Sequence, residues 1–136
     1  WLGRIAEFLS AELASWPRLV VLGDFNIAPE DRDVYDPDGW RERILCSTPE
    51  RQAFGRLLQM PMVDAFRQFE QPEASYTWWD YRTAAFRRNQ GLRIDHILAS
   101  PALQEQLREC RIDIGPRKQE RPSDHAPIWA EFQSAD

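Results

Sequence analysis

The chain has 136 residues, 43% of them hydrophobic and 29% charged, with a formal net charge of −5. That length suits one domain burying about two-thirds of its unfolded surface, and the composition excludes a disordered or membrane-spanning chain. Net acidity argues against nucleic-acid binding by global charge, so any such role must rest on a local patch.

Leu2, Ile5, Ala6, Leu9 and Leu13 recur at helical spacing, which predicts a helix over 1–15, stopped by Trp16-Pro17. Leu19-Val20-Val21-Leu22 is expected to be a strand buried on both faces and ended by Gly23. It is the longest aliphatic run and far too short to span a bilayer, so no membrane partner is expected. No signal peptide is legible, because the first helix contains Arg4 and Glu7. Residues 28–42 are acidic and rich in turn formers. Thr48-Pro49-Glu50 then predicts a helix start, with Thr48 as the cap and the helix running to about Met60.

A short strand or turn is expected over 62–66. "SYTWWDYR" is read as a strand entering a loop, and "RIDHILAS" as a buried strand. Pro101 opens a short helix expected over 102–108, and strands are expected over 110–114 and 128–132. This alternation favours an α/β layered fold, in one domain over 1–136 without repeat or linker. Cys46 and Cys110 are the only cysteines, and both are expected as buried free thiols, which favours a cytoplasmic location. The chain starts at Trp1 and its first methionine is Met60, so it reads as a piece of a longer protein.

Three stretches carry candidate chemistry. In "VVLGDFNIAP", Asp24 lies at the carboxyl end of a strand with Asn26 two residues on, where ligands bind in α/β sheets. Such a pair can hold a metal, a water or a phosphate oxygen, or can simply make an Asx turn. In "GLRIDHILAS", Asp95 sits on a buried strand, where an ionised carboxylate requires a partner. His96 points to the other face, so it reads as structural or surface, and His125 is the natural partner, oriented by Asp95 as a hydrogen-bond donor. His125 follows Asp124 in "RPSDHAPIWAEF", where Pro122 and Pro127 shape a loop in which both side chains can converge; the alternative is a plain polar turn. Ser123 as a hydrolase nucleophile is disfavoured, because no nucleophile elbow surrounds it. The third stretch, 78–93, interleaves Trp78, Trp79, Tyr81 and Phe86 with Arg82, Arg87, Arg88 and Arg93. Aromatic faces beside guanidinium groups suit nucleic acid, although two core tryptophans beside a solvated loop would look the same.

The motifs "GDFNIAP", "YTWWDYR", "NQGLRIDHILAS" and "RPSDHAPIWAEF", in this order, resemble the bacterial exonuclease III and abasic-site endonuclease family of the exonuclease–endonuclease–phosphatase superfamily. The resemblance spans nearly the whole chain. It implies part of a four-layered α/β sandwich, two packed sheets flanked by helices, with the amino-terminal half and its metal-binding glutamate lying before Trp1. It also implies Mg²⁺- or Mn²⁺-dependent hydrolysis of duplex DNA, by incision 5′ to abasic sites and by 3′→5′ exonuclease action. On this resemblance Asp24 would activate the attacking water, Asn26 would bond the water or phosphate, and Asp124 would bind the metal. His125, oriented by Asp95, would donate to a phosphoryl oxygen. Trp78, Leu92 and Ile94 would line a pocket for a flipped abasic sugar, and Arg82 and Arg93 would contact DNA. A half-sandwich would expose an apolar face and invite self-association. Two other readings follow: a fragment that binds nucleic acid without cleaving, and a relative acting on another phosphodiester.

Overall fold

A computed structural model describes residues 1–134 as a mixed α/β fold with two antiparallel sheets. Helix α1 spans Leu2–Ser15 and turns Leu9 into the core. Strand β1 (Val20–Asp24), helix α2 (Pro37–Trp40), helix α3 (Thr48–Gln59) and strand β2 (Val63–Asp64) follow. Then come β3 (Asp95–Ala99), α4 (Pro101–Gln104), β4 (Leu107–Ile112) and β5 (Ile128–Phe132). The larger sheet has the order β1-β3-β2, and β4 pairs with β5 in the smaller one.

Alternation along β3 explains the layering, since successive side chains leave a strand on opposite faces. Ile97 joins Leu107 and Cys110 of β4 and Ile128 of β5, so the two sheets share a core. Leu98 points the other way, into a cluster with Leu9 of α1 and Phe54 and Leu57 of α3. The pattern on α3 is set at its start. Ser47 Oγ accepts from Glu50 N, and the Glu50 carboxylate accepts from Ser47 N at 3.0 Å, a reciprocal box that caps the helix.

Several expectations need correction. The cap is Ser47, one residue before Thr48, whose hydroxyl bonds Glu42 instead. Among the described residues strand β1 is an edge strand paired only with β3; Leu22 is 65% exposed, so β1 is not buried on both faces. "SYTWWDYR" forms no ladder, only isolated bridges from Trp78 to Leu92 and to His125, before a helical turn at Arg82–Ala84. Helix α4 stops at Gln104, and Leu107, expected inside it, instead opens β4. The acidic stretch 28–42 contains a 3-10 turn, Asp31–Asp33, as well as α2. Both cysteines are free and buried, and burial pushes the Cys110 thiol up to about 12. Among the described residues no helix is long and apolar enough to cross a membrane.

Candidate functional site

The β1–β3 register builds the site. Val21 pairs with Leu98 and Gly23 with His96, which brings Asp24 directly opposite Asp95 at the mouth of the sheet. Gly23 has φ +143°, a conformation that L side chains rarely adopt. Like charges directly opposite one another destabilise a sheet. Here an imidazole stands between them. His125 Nδ1 lies 2.8 Å from Asp95 Oδ2, and Nε2 lies 3.9 Å from Asp24 Oδ2. An ionised carboxylate only accepts, so Nδ1 carries the proton and Nε2 is the nitrogen turned toward Asp24. Burial raises the Asp95 carboxyl above its ordinary value, and hydrogen bonds from His125 and Thr77 oppose the rise without cancelling it.

Asp124 completes the group. Its Oδ2 accepts from the Trp78 indole at 3.0 Å, while its Oδ1 lies 4.0 Å from His125 Nε2. The loop before β5 therefore does bring the two neighbours to one place, as its prolines suggested. Residues 77–81 hold that loop. Trp79 N donates to Asp124 O at 3.1 Å, Ala126 N to Thr77 O at 2.7 Å, and Tyr81 Oη to Pro122 O at 2.8 Å. On the opposite wall, Asn26 N donates to Asp24 Oδ1 at 2.9 Å in an Asx turn, with Asn26 itself at φ 53° and exposed. That turn and the functional reading of Asp24 and Asn26 are compatible. The turn leaves Asp24 Oδ2 free.

Asp24, Asp95 and His125 each offer a ligand atom, and the three atoms lie within 4.8 Å of one another. Asp95 Oδ2 is engaged by His125 and Asp124 Oδ2 by Trp78. Asp24 Oδ2 and Asp124 Oδ1 are left without a hydrogen bond among the described residues. One or two carboxylate oxygens completed by water suit a hard divalent cation such as Mg²⁺. The donor set fits one.

Three expected DNA contacts are corrected. Arg93 is 1% exposed and lies inside the fold, with Nε 2.7 Å from Asp33 and Nη2 2.8 Å from Asp64, so it cannot meet a ligand. Burial works against its charge, and the two carboxylates overcome it, raising its pKa. Leu92 and Ile94 are 0% and 2% exposed, packed with Val34 and Cys46 under Leu45, Trp40 and Trp78. They form the support beneath Trp78 and offer no open pocket wall. Trp78 is half-buried, whereas Trp79 is a core residue against Phe86, so the alternatives for the window split between its two tryptophans. Arg82, Arg87 and Arg88 are exposed; Arg82 pairs with Asp80 at 2.8 Å, a contact worth little in water. His96 is structural: it is buried, its Nε2 donates to Ile27 O at 2.7 Å, and its Nδ1 accepts from Arg93.

Two contributors had not been singled out. Thr77 is fully buried, and its Oγ1 accepts from both Ile94 N and Asp95 N at 3.0 and 3.1 Å, which anchors the start of β3. Arg117 donates to Ser123 O at 2.6 Å from the turn Gly115–Lys118. Thr77 lies inside the "YTWWDYR" motif without a signal of its own, and Arg117 has none beyond lying near a motif.

The model of the endonuclease/exonuclease/phosphatase family matches residues 4–125. The chain is 41% identical to exodeoxyribonuclease III of Haemophilus influenzae, over 95% of its own length and 51% of that relative. Among solved structures, a Neisseria 3′ phosphatase bound to product DNA hairpin superposes with a TM-score of 0.95 at 51% identity. An AP endonuclease from Archaeoglobus fulgidus does so with 0.91 at 38%. Each superposition covers 98% of this chain and 52% of the other. The chain thus spans about half the length of the relatives it matches.

Proposed function

Because the chain belongs to the endonuclease/exonuclease/phosphatase family, we propose that it carries the greater part of the phosphodiester-hydrolysing site of a DNA-repair nuclease. Its fold would then be part of a four-layered sandwich, with 1–136 one portion of a single domain, acting in the cytoplasm on duplex DNA. The observation that carries the reading is the convergence of Asp24, Asp124 and the Asp95–His125 pair, from three separated segments, on one solvent-reachable point. The relatives named as DNA nucleases, and one bound to a DNA hairpin, support DNA as the partner.

In this mechanism Asp24 orients the attacking water and takes its proton while the water oxygen bonds to phosphorus and the bond to the leaving oxygen breaks. Asn26 hydrogen-bonds the water or the phosphate. His125, held in place by Asp95 through Nδ1–H, donates to a phosphoryl oxygen from Nε2–H in its doubly protonated form as negative charge develops there. Asp124 would hold Mg²⁺ or Mn²⁺, which when bound supplies Lewis-acid polarisation of the phosphate. Trp78 gives the DNA a surface to pack on, and Arg82 approaches the backbone.

One observation favours a particular substrate within this class. Leu92 and Ile94 are covered, so these two side chains line no pocket for a flipped sugar, and with a relative named as a 3′ phosphatase this favours 3′-end hydrolysis over incision 5′ to an abasic site. The test offers three labelled duplexes to the chain, with Mg²⁺ or EDTA: a recessed 3′ hydroxyl end, a recessed 3′ phosphate, and one internal abasic analogue. Magnesium-dependent release from the 3′ ends is expected, faster than abasic incision. Asp24→Asn should slow it by roughly 10²- to 10⁴-fold with duplex retention unchanged. Cleavage that survives EDTA or Asp24→Asn would overturn the mechanism, and salt-dependent binding without any cleavage would favour the non-cleaving reading.

A further inference from the structure

Arg117 is a buried charge without a counter-ion. It is 6% exposed, and among the described residues no carboxylate lies within ion-pair distance. An arginine cannot shed its proton to escape this cost. What surrounds it is aromatic: its guanidinium carbon lies 4.6 Å from the ring centre of Phe86, 5.7 Å from that of Trp79 and 5.8 Å from that of Tyr81. Such faces attract a cation, more strongly where water is excluded. Its Nε has no hydrogen-bond partner among the described residues. If this position needed only filling, an apolar side chain would avoid the desolvation cost, and such replacements are often neutral or stabilising. The contribution peculiar to arginine here is directional, namely the 2.6 Å hydrogen bond from Nη1 to Ser123 O.

Ser123 immediately precedes Asp124, and its Oγ accepts from His125 N at 3.1 Å. The other tethers on this loop come from residues 77–81, from Asp95 to His125 and from Asp113 N to Pro127 O at 2.8 Å. Arg117 reaches the loop from the separate turn Gly115–Lys118, while its guanidinium rests on the rings of Trp79 and Tyr81 in the segment 77–81 and of Phe86 just beyond it. It therefore ties the segment and the loop into one body. Tyr81, one of those rings, is 64% exposed, and Arg82 beside it is exposed too.

We propose that Arg117 is a positioning residue for the Asp124–His125 loop, locking it to the Trp79–Tyr81–Phe86 platform so that nucleic acid resting on the platform's outer face meets two functional side chains already seated. The proposal rests on the functional reading above. It assigns Arg117 no contact with the reacting atoms.

The test compares Arg117→Met and Arg117→Lys with Leu103→Ala, a buried change outside the site, at temperatures adjusted to equal stability. Two quantities are read: hydrogen exchange of the Trp78 indole N–H, which reports its bond to Asp124, and the kcat and KM for magnesium-dependent 3′-end release. Arg117→Met should speed indole exchange and lower kcat by roughly 10- to 100-fold with KM little changed, the signature of misplaced groups. Arg117→Lys, keeping charge and stem but not the planar fork, should fall between. Should Arg117→Met fail to fold, the comparison is read on Arg117→Lys. Exchange and kcat matching those of Leu103→Ala would overturn the proposal. If the unaltered chain releases nothing, the functional reading fails, and indole exchange alone still decides whether Arg117 seats the loop.

Discussion

Asp24 and Asp95 face each other across an antiparallel pair, a relation that repels unless something intervenes, and His125 intervenes. That two acids stand where they disfavour the sheet indicates that local stability was not what selected them. Arginines divide sharply at this scale. Arg93 and Arg82 lie in the same aromatic window, yet one is a core ion and the other a surface one. Arg93→Met should lower stability by roughly 3–5 kcal/mol, because Asp33 and Asp64 would be left buried without compensation. Arg82→Ala should leave stability nearly unchanged but reduce the salt dependence of duplex binding by about one phosphate contact. Denaturant titration and binding at several salt concentrations check both. Nothing near Arg93 in the chain announces its partners, which lie 60 and 29 residues away. Arg93 was legible as chemistry but not as location.

Strand β3 carries two histidine relationships at once: His96 faces inward while its neighbour Asp95 reaches His125. Because Arg93 can only donate to His96 Nδ1, the ring is held as the neutral tautomer donating to Ile27 O. Burial, reinforced by Arg93 and opposed by Asp64 and Asp33, lowers its pKa from 6.5 to about 4. For a group depressed on folding, the contribution is complete above the unfolded value and is lost as pH falls toward the folded one. Stability should therefore drop by roughly 2 kcal/mol between pH 6.5 and about pH 5, above the range in which ordinary carboxylates titrate. In His96→Leu that slope should be absent; urea midpoints at each pH decide it. The apolar period located α1, α3, β3 and β5 well, since each lays a stripe or face on the core. It misjudged β1, where the run of aliphatic residues was equally apolar but of the strand only Val20 and Val21 pack on the core and Leu22 finds no cover among the described residues.

At the scale of the molecule, large apolar side chains remain in water: Trp1 at 78%, Phe8 at 62%, Trp16 at 65% and Leu22 at 65% exposed. Phe8 stands on the exposed side of the first helix, and Trp1, at its N-cap, lines a cleft beside Asp24 together with Leu22. Contiguous apolar surface on this scale favours association. We expect the chain to self-associate with increasing concentration in sedimentation velocity, and Phe8→Lys with Leu22→Lys to shift it toward monomer. A single species independent of concentration would show the face to be tolerated in water.

The motifs alone carried the resemblance to the family and nominated Asp24, Asn26, Asp95, Asp124 and His125 as candidates, because those stretches are short and contiguous. Periodicity established most helices and strands for a similar reason: burial of one face is written locally, every two or nearly four residues. Folding decided the rest. Whether Arg93, Leu92 and Ile94 face DNA or the core, that Asp24 meets Asp95, and that Arg117 grips the loop of His125 all depend on neighbours distant in the chain. Such pairings follow from register and packing, which no local pattern of residues encodes.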